Sequence, residues 1–257
     1  MSMKKKITLE ERKRIQLEMM DEIDSFCRLN DIRYSLAFGT LLGAIRHKGY
    51  IPWDDDVDLI MPLPDMIRFK KEFMSKKLAY IDLDTKPNYE YHFSRICYLP
   101  TYSKIGLFRK SYGVNIDLYP VVGMADTEEG IQSFLNEIEP LYKKRLRKIE
   151  LRSRLIKILP AVFIPGYKSV MTQFRTKVLY SFPYKESKNY LHAGSVRRVN
   201  IFDFDVFAQT IDVDFEGHKY KSIGQYSKYL TQCYGDYMKL PPENQRHPYH
   251  GGDYYWN

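Results

Sequence analysis

The residues best suited to chemistry lie in one acidic run, Asp-Asp-Asp-Val-Asp, over residues 54–58. Apolar residues continue the run, so it predicts a strand over residues 54–61. Alternate side chains of a strand share a face, which would group Asp54, Asp56 and Asp58. Three like charges on one face repel each other, and a divalent cation such as Mg²⁺ offsets that repulsion. The run therefore predicts a metal site, with a solvated acidic turn as the alternative.

A further carboxylate, Asp117, lies inside the apolar segment 114–119, which predicts another strand. A buried carboxylate needs a partner or must stay protonated. Pairing with the metal face formed by Asp56 and Asp58 would supply that partner. The alternative is a core aspartate that accepts hydrogen bonds from backbone groups or from an arginine.

A Gly-Thr pair, Gly39 and Thr40, marks the junction between a predicted strand and a predicted helix. Backbone N–H groups at such a junction can bind an anion, and the threonine can also donate its hydroxyl. Arg46 and Lys48 follow one turn later and could neutralise a pyrophosphate. A solvated basic loop is the alternative. The P-loop pattern G-x-x-x-x-G-K-[ST] does not occur in the sequence.

The composition favours an anionic partner, because the 257 residues carry a formal net charge of +8. Nucleotides, phosphorylated substrates, nucleic acid and an anionic membrane all fit this charge. The cysteines number three and show no C-x-x-C, which argues against a disulfide framework or a cysteine zinc site. No signal peptide is visible, and no apolar stretch reaches the roughly 20 residues that span a bilayer. We therefore expect a cytoplasmic protein.

The elements that would position these residues follow from apolar spacing and capping patterns. Helices are predicted over residues 8–29, 41–46, 66–77, 128–159, 168–180 and 222–235, and strands over 32–38, 54–61, 80–83, 92–98 and 114–119. Thr8–Glu11 and Ser222–Gln225 both have the form of a capping box. This alternation predicts an α+β fold with a mixed β-sheet flanked by helices. We expect one domain over 1–257, with a core over 1–125, a basic helical insertion over 126–185 and a C-terminal part over 186–257 that completes the site.

Residues 38–59 closely resemble the signature of the LicD family. Further blocks similar to those of the family follow in order at 93–101, 116–120 and 234–246, so the resemblance spans roughly residues 10 to 250. It implies a polymerase-β-like nucleotidyltransferase fold that uses Mg²⁺ or Mn²⁺. It also implies that a phospho-alcohol, such as phosphocholine, phosphoethanolamine or aminoethylphosphonate, moves from a CDP-linked donor to a hydroxyl of a cell-surface glycan. CMP is then released, and the glycan acceptor is often lipid-linked.

The resemblance also implies roles for single residues. Asp56 and Asp58 match the metal ligands, Asp117 matches the third acid, and Asp54 extends the acidic face as a further catalytic carboxylate. The residues implied in substrate binding are Gly39, Thr40, Arg46, Lys48, Arg95, Arg246 and His250.

Two other functions share some of these features. A nucleotidyltransferase that uses a nucleoside triphosphate and releases pyrophosphate would need the same metal site. A non-catalytic nucleic-acid-binding protein would suit the charge of +8 but has no use for clustered carboxylates, so we expect no nucleic-acid partner. The segment 143–157 is rich in Lys and Arg and precedes an apolar stretch over 158–167. This pattern indicates contact with an anionic membrane at the inner face of the cell, or a solvated helix face.

Overall fold

The computed structural model describes residues 5–105, 109–156, 163–193, 196–197, 200–247 and 253–257. Its helices are α1 (Leu9–Leu29), α2 (Phe38–His47), α3 (Leu63–Glu72), α4 (Glu128–Ile156), α5 (Tyr167–Tyr180) and α6 (Tyr226–Tyr234). Its strands are β1 (Ser35–Leu36), β2 (Asp58–Pro62), β3 (Leu78–Ile81), β4 (Ser94–Tyr98), β5 (Thr101–Ile105), β6 (Arg109–Ser111), β7 (Asn115–Met124), β8 (Asn189–His192), β9 (Ile201–Phe202), β10 (Thr210–Phe215), β11 (His218–Ile223) and β12 (Tyr254–Trp256). Predicted His250 and residues 157–162 of the basic and apolar segments lie outside the described residues.

The central sheet is mixed and has the strand order β1-β2-β7-β4-β3. Strand β7 is its axis: the first half of β7 pairs in parallel with β2 and antiparallel with β4, and its second half pairs with β8. Strand β9 extends the sheet beyond β8. Helices pack on this sheet, so the predicted α+β class with a mixed sheet is confirmed.

Helix α1 begins as predicted, because the Thr8 hydroxyl accepts a bond from the Glu11 N–H and the Glu11 carboxylate accepts one from the Thr8 N–H. Its apolar residues Ile15, Met19 and Ile23 recur every four positions and are each about 1% exposed. They belong to the main core that covers the sheet. This helical spacing therefore marks the face that packs inward.

Helices α4 and α5 form a second core with the far half of β7. Phe134 and Ile138 of α4 and Phe174 of α5 pack with Val122 of β7 and Leu191 of β8. These helices lie where the sequence predicted a helical insertion, whose status as a separate unit stays a prediction. Among the described helices, none combines the length and the apolar character that crossing a membrane requires.

Several predicted boundaries are wrong: α2 spans Phe38–His47, α3 spans Leu63–Glu72 and β7 continues to Met124. Local hydrogen bonds explain two further differences. Strand β2 begins only at Asp58, because the Asp54 N–H bonds to the carbonyl of Ile51 and the Asp55 N–H bonds to the Asp54 carboxylate. These local bonds replace strand pairing at Asp54 and Asp55, whereas the carbonyl of Val57 already accepts a bond from the Asp117 N–H of β7. Similarly, Ser222 belongs to β11 and its hydroxyl bonds to a neighbouring carbonyl, so it does not cap α6.

Two buried histidines predict a pH dependence of stability. His92 is 7% and His192 is 1% exposed, and burial lowers the pKa of each from 6.5 to about 3. The pKa of each histidine is lower in the folded state than in the unfolded state. The contribution of the neutral histidines to the free energy of unfolding is therefore complete above about pH 6.5 and is lost as pH falls. Below about pH 6.5, each histidine should lower the free energy of unfolding by about 1.4 kcal/mol per pH unit. We expect His92→Gln to have a shallower loss of unfolding free energy between pH 6.5 and 4.5 than the wild type, and an unchanged slope would contradict this.

Candidate active site

A cavity of about 590 Å³ opens between the start of α2, the acidic run and the segment after α6. It brings together the predicted site residues Gly39, Arg46, Asp54, Asp56 and Asp58. The opposite wall includes Tyr234, Tyr237, Lys239 and Pro242, which belong to the C-terminal block of the sequence. Segments about 180 residues apart in the chain therefore form one site.

The acidic run alternates between two environments. Asp54, Asp56 and Asp58 line the cavity, whereas Asp55 is 4% exposed and forms an ion pair with Arg12 of α1 at 2.8 Å. Both side chains of that pair are less than 10% exposed. This pair was not predicted from the sequence, although Arg12 lies three residues before Ile15 on the buried face of α1. The grouping of the three cavity acids was predicted correctly, even though residues 54–57 do not form a strand.

The cavity acids repel one another strongly. Asp58 is 9% exposed, and its Oδ1 has no hydrogen-bond partner among the described residues. Burial raises the pKa of Asp58 well above its usual range, and the carboxylates of Asp56, Asp117 and Asp54 raise it further. Burial, and then Asp56, raises the pKa of Asp54 to about 7. Carboxylate oxygens of Asp54, Asp55 and Asp56 lie within 4.8 Å of one another. A buried, unpaired oxygen beside clustered carboxylates fits a hard divalent cation.

The first turn of α2 holds this cluster in place. The buried hydroxyl of Thr40 accepts a bond from the Asp58 N–H at 2.9 Å, which fixes the start of β2. A Cβ atom at Gly39 would lie 2.6 Å from Oδ2 of Asp54, so a larger residue there would displace that carboxylate. Phe38 has a φ of 44°, a left-handed conformation that costs a non-glycine residue energy. The predicted contacts of Gly39 and Thr40 with a phosphate stay predictions.

Asp117 has a protein partner, which was the alternative left open by the sequence. Parallel pairing places Asp117 opposite Asp58, and antiparallel pairing places Arg95 opposite Asp117. The Arg95 Nε and Nη2 donate to the two carboxylate oxygens of Asp117 at 2.6 and 3.1 Å. The carbon Cζ of this guanidinium also lies over the ring of Tyr91, 4.0 Å from its centre. The predicted roles of Asp117 in metal binding and of Arg95 in substrate binding stay predictions.

The remaining predicted basic residues differ in their relation to the cavity. Arg46 donates to the carbonyls of Tyr237 and Lys239 at 2.8 and 3.2 Å, and so ties α2 to the opposite wall. Arg246 donates to the carbonyl of Pro241 at 2.9 Å and lies 5.6 Å from the ring centre of Trp53. Lys48 is exposed at the end of α2 and is not part of the cavity wall.

The Arg12–Asp55 pair predicts a stability effect. Arg12→Met leaves a buried carboxylate without its partner, so we expect it to lower the unfolding free energy by about 3–5 kcal/mol. The double variant Arg12→Met/Asp55→Asn should lose less than the sum of the two single variants. The exposed Lys143–Glu139 pair is the control, and Lys143→Met should change stability by less than about 1 kcal/mol. Denaturant unfolding measures all four, and strictly additive effects at the buried pair would contradict the account.

Comparison with known proteins gives consistent matches. The sequence model of the family described as "LicD/FKTN/FKRP, nucleotidyltransferase domain" matches residues 31–139. The lipopolysaccharide cholinephosphotransferase LicD of Haemophilus influenzae is 29% identical over 274 residues, covering 96% of this chain and 97% of that protein. An uncharacterised protein of Rickettsia typhi is 38% identical over 78 residues, covering 30% of this chain and 25% of that protein.

The matched region contains the start of α2 and the acidic run, which form one wall of the cavity, and also Asp117. The long alignment with the Haemophilus protein also includes the C-terminal part of the chain. Residues 31–139 therefore match the nucleotidyltransferase domain of the LicD family, and nearly the whole chain is similar to a LicD protein.

Proposed function

We propose that this protein is a metal-dependent transferase that moves phosphocholine, or a similar phospho-alcohol, from a CDP-linked donor to a glycan hydroxyl and releases CMP. The proposal rests on the cavity that has Asp54, Asp56 and Asp58 on one wall. Oδ1 of Asp58 is buried there and has no hydrogen-bond partner among the described residues. The alignment with a cholinephosphotransferase over 96% of this chain supports the choice of reaction.

Asp56, Asp58 and Asp117 would hold Mg²⁺ or Mn²⁺. When bound, the ion supplies Lewis acidity and neutralises charge on the donor phosphates. Arg95 already binds both carboxylate oxygens of Asp117, so Asp117 would have to bind the metal and Arg95 together. Gly39 lies in the first turn of α2, where backbone N–H groups suit a phosphate, and Arg46 adds positive charge to the same cavity.

The transfer is an in-line displacement at the phosphorus that carries the alcohol. The acceptor oxygen forms a bond to this phosphorus, the bond to the oxygen bridging to CMP breaks, and CMP leaves with that electron pair. The acceptor proton must go to a nearby base. We assign it to Asp54, because this carboxylate lines the same cavity as Asp56 and Asp58 and because Asp117 is already bound by Arg95.

The cavity also suits a choline group. Four of its wall residues are aromatic: Phe38, Trp53, Tyr234 and Tyr237. Aromatic faces attract a quaternary ammonium ion through their electron-rich π-systems. Phosphocholine is therefore our first choice among the phospho-alcohols. A nucleotidyltransferase reaction on a nucleoside triphosphate is the second candidate, favoured by the description of the matching domain, and it would release pyrophosphate instead of CMP.

Asp56 tests the catalytic role of the acidic wall. Asp56→Asn should lower the release of CMP from CDP-choline by about a hundredfold or more, because a carboxylate that holds the metal is lost. The far-UV CD spectrum and melting temperature should stay near those of the wild type. Asp214→Asn, at an exposed position in the β10–β11 hairpin, is the control and should keep full activity. An Asp56→Asn enzyme with nearly normal activity would refute the proposal.

Asp58 tests metal binding without any assay of activity. In EDTA, Asp58→Asn should be at least as stable as the wild type, because it removes a carboxyl group whose ionised form is disfavoured by burial and by neighbouring acids. Added MgCl₂ or MnCl₂ should raise the melting temperature of the wild type and leave that of the variant unchanged. Equal shifts in both proteins would place the metal elsewhere.

We also propose that α4 contacts an anionic membrane, where a lipid-linked acceptor would be found. Its exposed surface interleaves basic and apolar side chains: Lys143, Lys144, Leu146, Arg147, Leu151 and Arg154. Such a surface combines electrostatic attraction with apolar insertion.

Vesicle sedimentation tests the membrane contact. The protein should pellet with vesicles that contain phosphatidylglycerol and much less with pure phosphatidylcholine, and salt should weaken the binding. Lys143→Glu/Lys144→Glu should reduce pelleting, whereas Lys219→Glu, in the exposed β10–β11 hairpin, should reduce it less. Equal pelleting with both vesicle types would contradict the contact.

A further inference from the structure

A second cavity, of about 580 Å³, lies on the same face of the central sheet as the acids. Cross-strand partners place Asp58, Asp117, Arg95 and Ile81 in one row over β2, β7, β4 and β3. Side chains of directly paired residues share a face of a sheet. Ile81 lines the second cavity, so this row of paired residues leads from the acids to the wall of the second cavity.

The two cavities are linked through side chains. Arg95, which binds Asp117, lies over Tyr91, and the ring centre of Tyr91 is 5.5 Å from that of Tyr89 in the wall of the second cavity. Arg95 and Tyr91 therefore stand between the acidic cavity and the second one. A molecule in the second cavity would approach the acids from the side of Asp117.

Tyrosines dominate the wall of the second cavity, at positions 89, 98, 102 and 112. Tyr89 is 1% exposed, and its hydroxyl has no hydrogen-bond partner among the described residues. A buried hydroxyl without a partner costs folding free energy, and a ligand that supplies the missing bond would recover it. Such a wall, with apolar ring faces and polar tips, suits the rings and hydroxyls of a sugar.

The polar residues of the same cavity carry a positive surplus. Lys86, Lys110 and Arg152 contribute three cations, whereas Glu90 is the one carboxylate among the described lining residues. Glu90 is itself paired with Arg152 at 3.3 Å. The cavity therefore favours a ligand that carries negative charge.

We propose that this second cavity is the acceptor subsite and binds a carbohydrate that carries an anionic substituent such as phosphate. The proposal rests on the transferase function proposed above, because only a transfer reaction requires a second substrate beside the donor. The sugar stacks on the tyrosines, its anionic group pairs with Lys86 or Lys110, and its reactive hydroxyl faces the row that leads to Asp58.

Binding of a lipid-free, phosphorylated lipopolysaccharide core oligosaccharide tests this subsite directly. Isothermal titration calorimetry should show that Lys86→Ala and Tyr112→Ala each weaken the Kd of this oligosaccharide about tenfold. Lys71→Ala, at an exposed position on α3, should bind like the wild type. The enzymatically dephosphorylated oligosaccharide should bind more weakly and should not distinguish Lys86→Ala from the wild type.

Lys86 is exposed, so its variant should fold even if Tyr112→Ala does not. A Kd that is unchanged in Lys86→Ala, or wild-type binding that is indifferent to the phosphate, would overturn the subsite. Release of CMP from CDP-choline by the wild type is measured separately. Variant-sensitive binding without any release of CMP would refute the transferase function and leave the carbohydrate site standing.

Discussion

The structure depends on keeping several carboxylates close together at the edge of a buried sheet. Water would screen these charges, but Asp58 is almost buried and its neighbours are acids. Contacts on either side hold the run in this unfavourable arrangement. Asp55 is bound by Arg12 of α1, and the backbone of Asp58 is bound by Thr40 of α2. The first two helices thus act as supports for a site whose own charges oppose it, which is typical of sites built for a cation.

Strand pairing in the central sheet extends the acidic cluster towards the second cavity. Parallel pairing of β2 with β7 brings Asp117 beside Asp58, and antiparallel pairing of β4 with β7 adds Arg95. The row therefore passes from negative charge to an ion pair and then to a tyrosine-lined cavity with excess positive charge. In the proposed transfer, the donor occupies the acidic cavity and the acceptor approaches the same acids from the side of Asp117. This division explains how one sheet face could serve two substrates of different chemistry.

Much of the site was predictable because its signals are local. The alternation of the acidic run predicted that Asp54, Asp56 and Asp58 share a wall, and an extended chain preserves this alternation even where no strand ladder forms. Pairings between distant segments were not predictable. Arg12 and Asp55 are 43 residues apart, and neither residue type indicates the partner. The same limit applied to Asp117, for which the metal face was preferred over an arginine although both were compatible with burial. It applied also to the second cavity, whose walls come from separate strands.

The transfer of a phospho-alcohol from a CDP-linked donor at the acidic cavity is our proposal, and ³¹P NMR of the wild-type protein with CDP-choline, Mg²⁺ and a lipopolysaccharide core oligosaccharide tests it. The two diphosphate resonances should disappear while CMP and a new phosphodiester resonance on the oligosaccharide appear in equal amounts. Intact CDP-choline under these conditions, together with release of pyrophosphate when CTP is supplied instead, would refute phospho-alcohol transfer and favour nucleotidyl transfer.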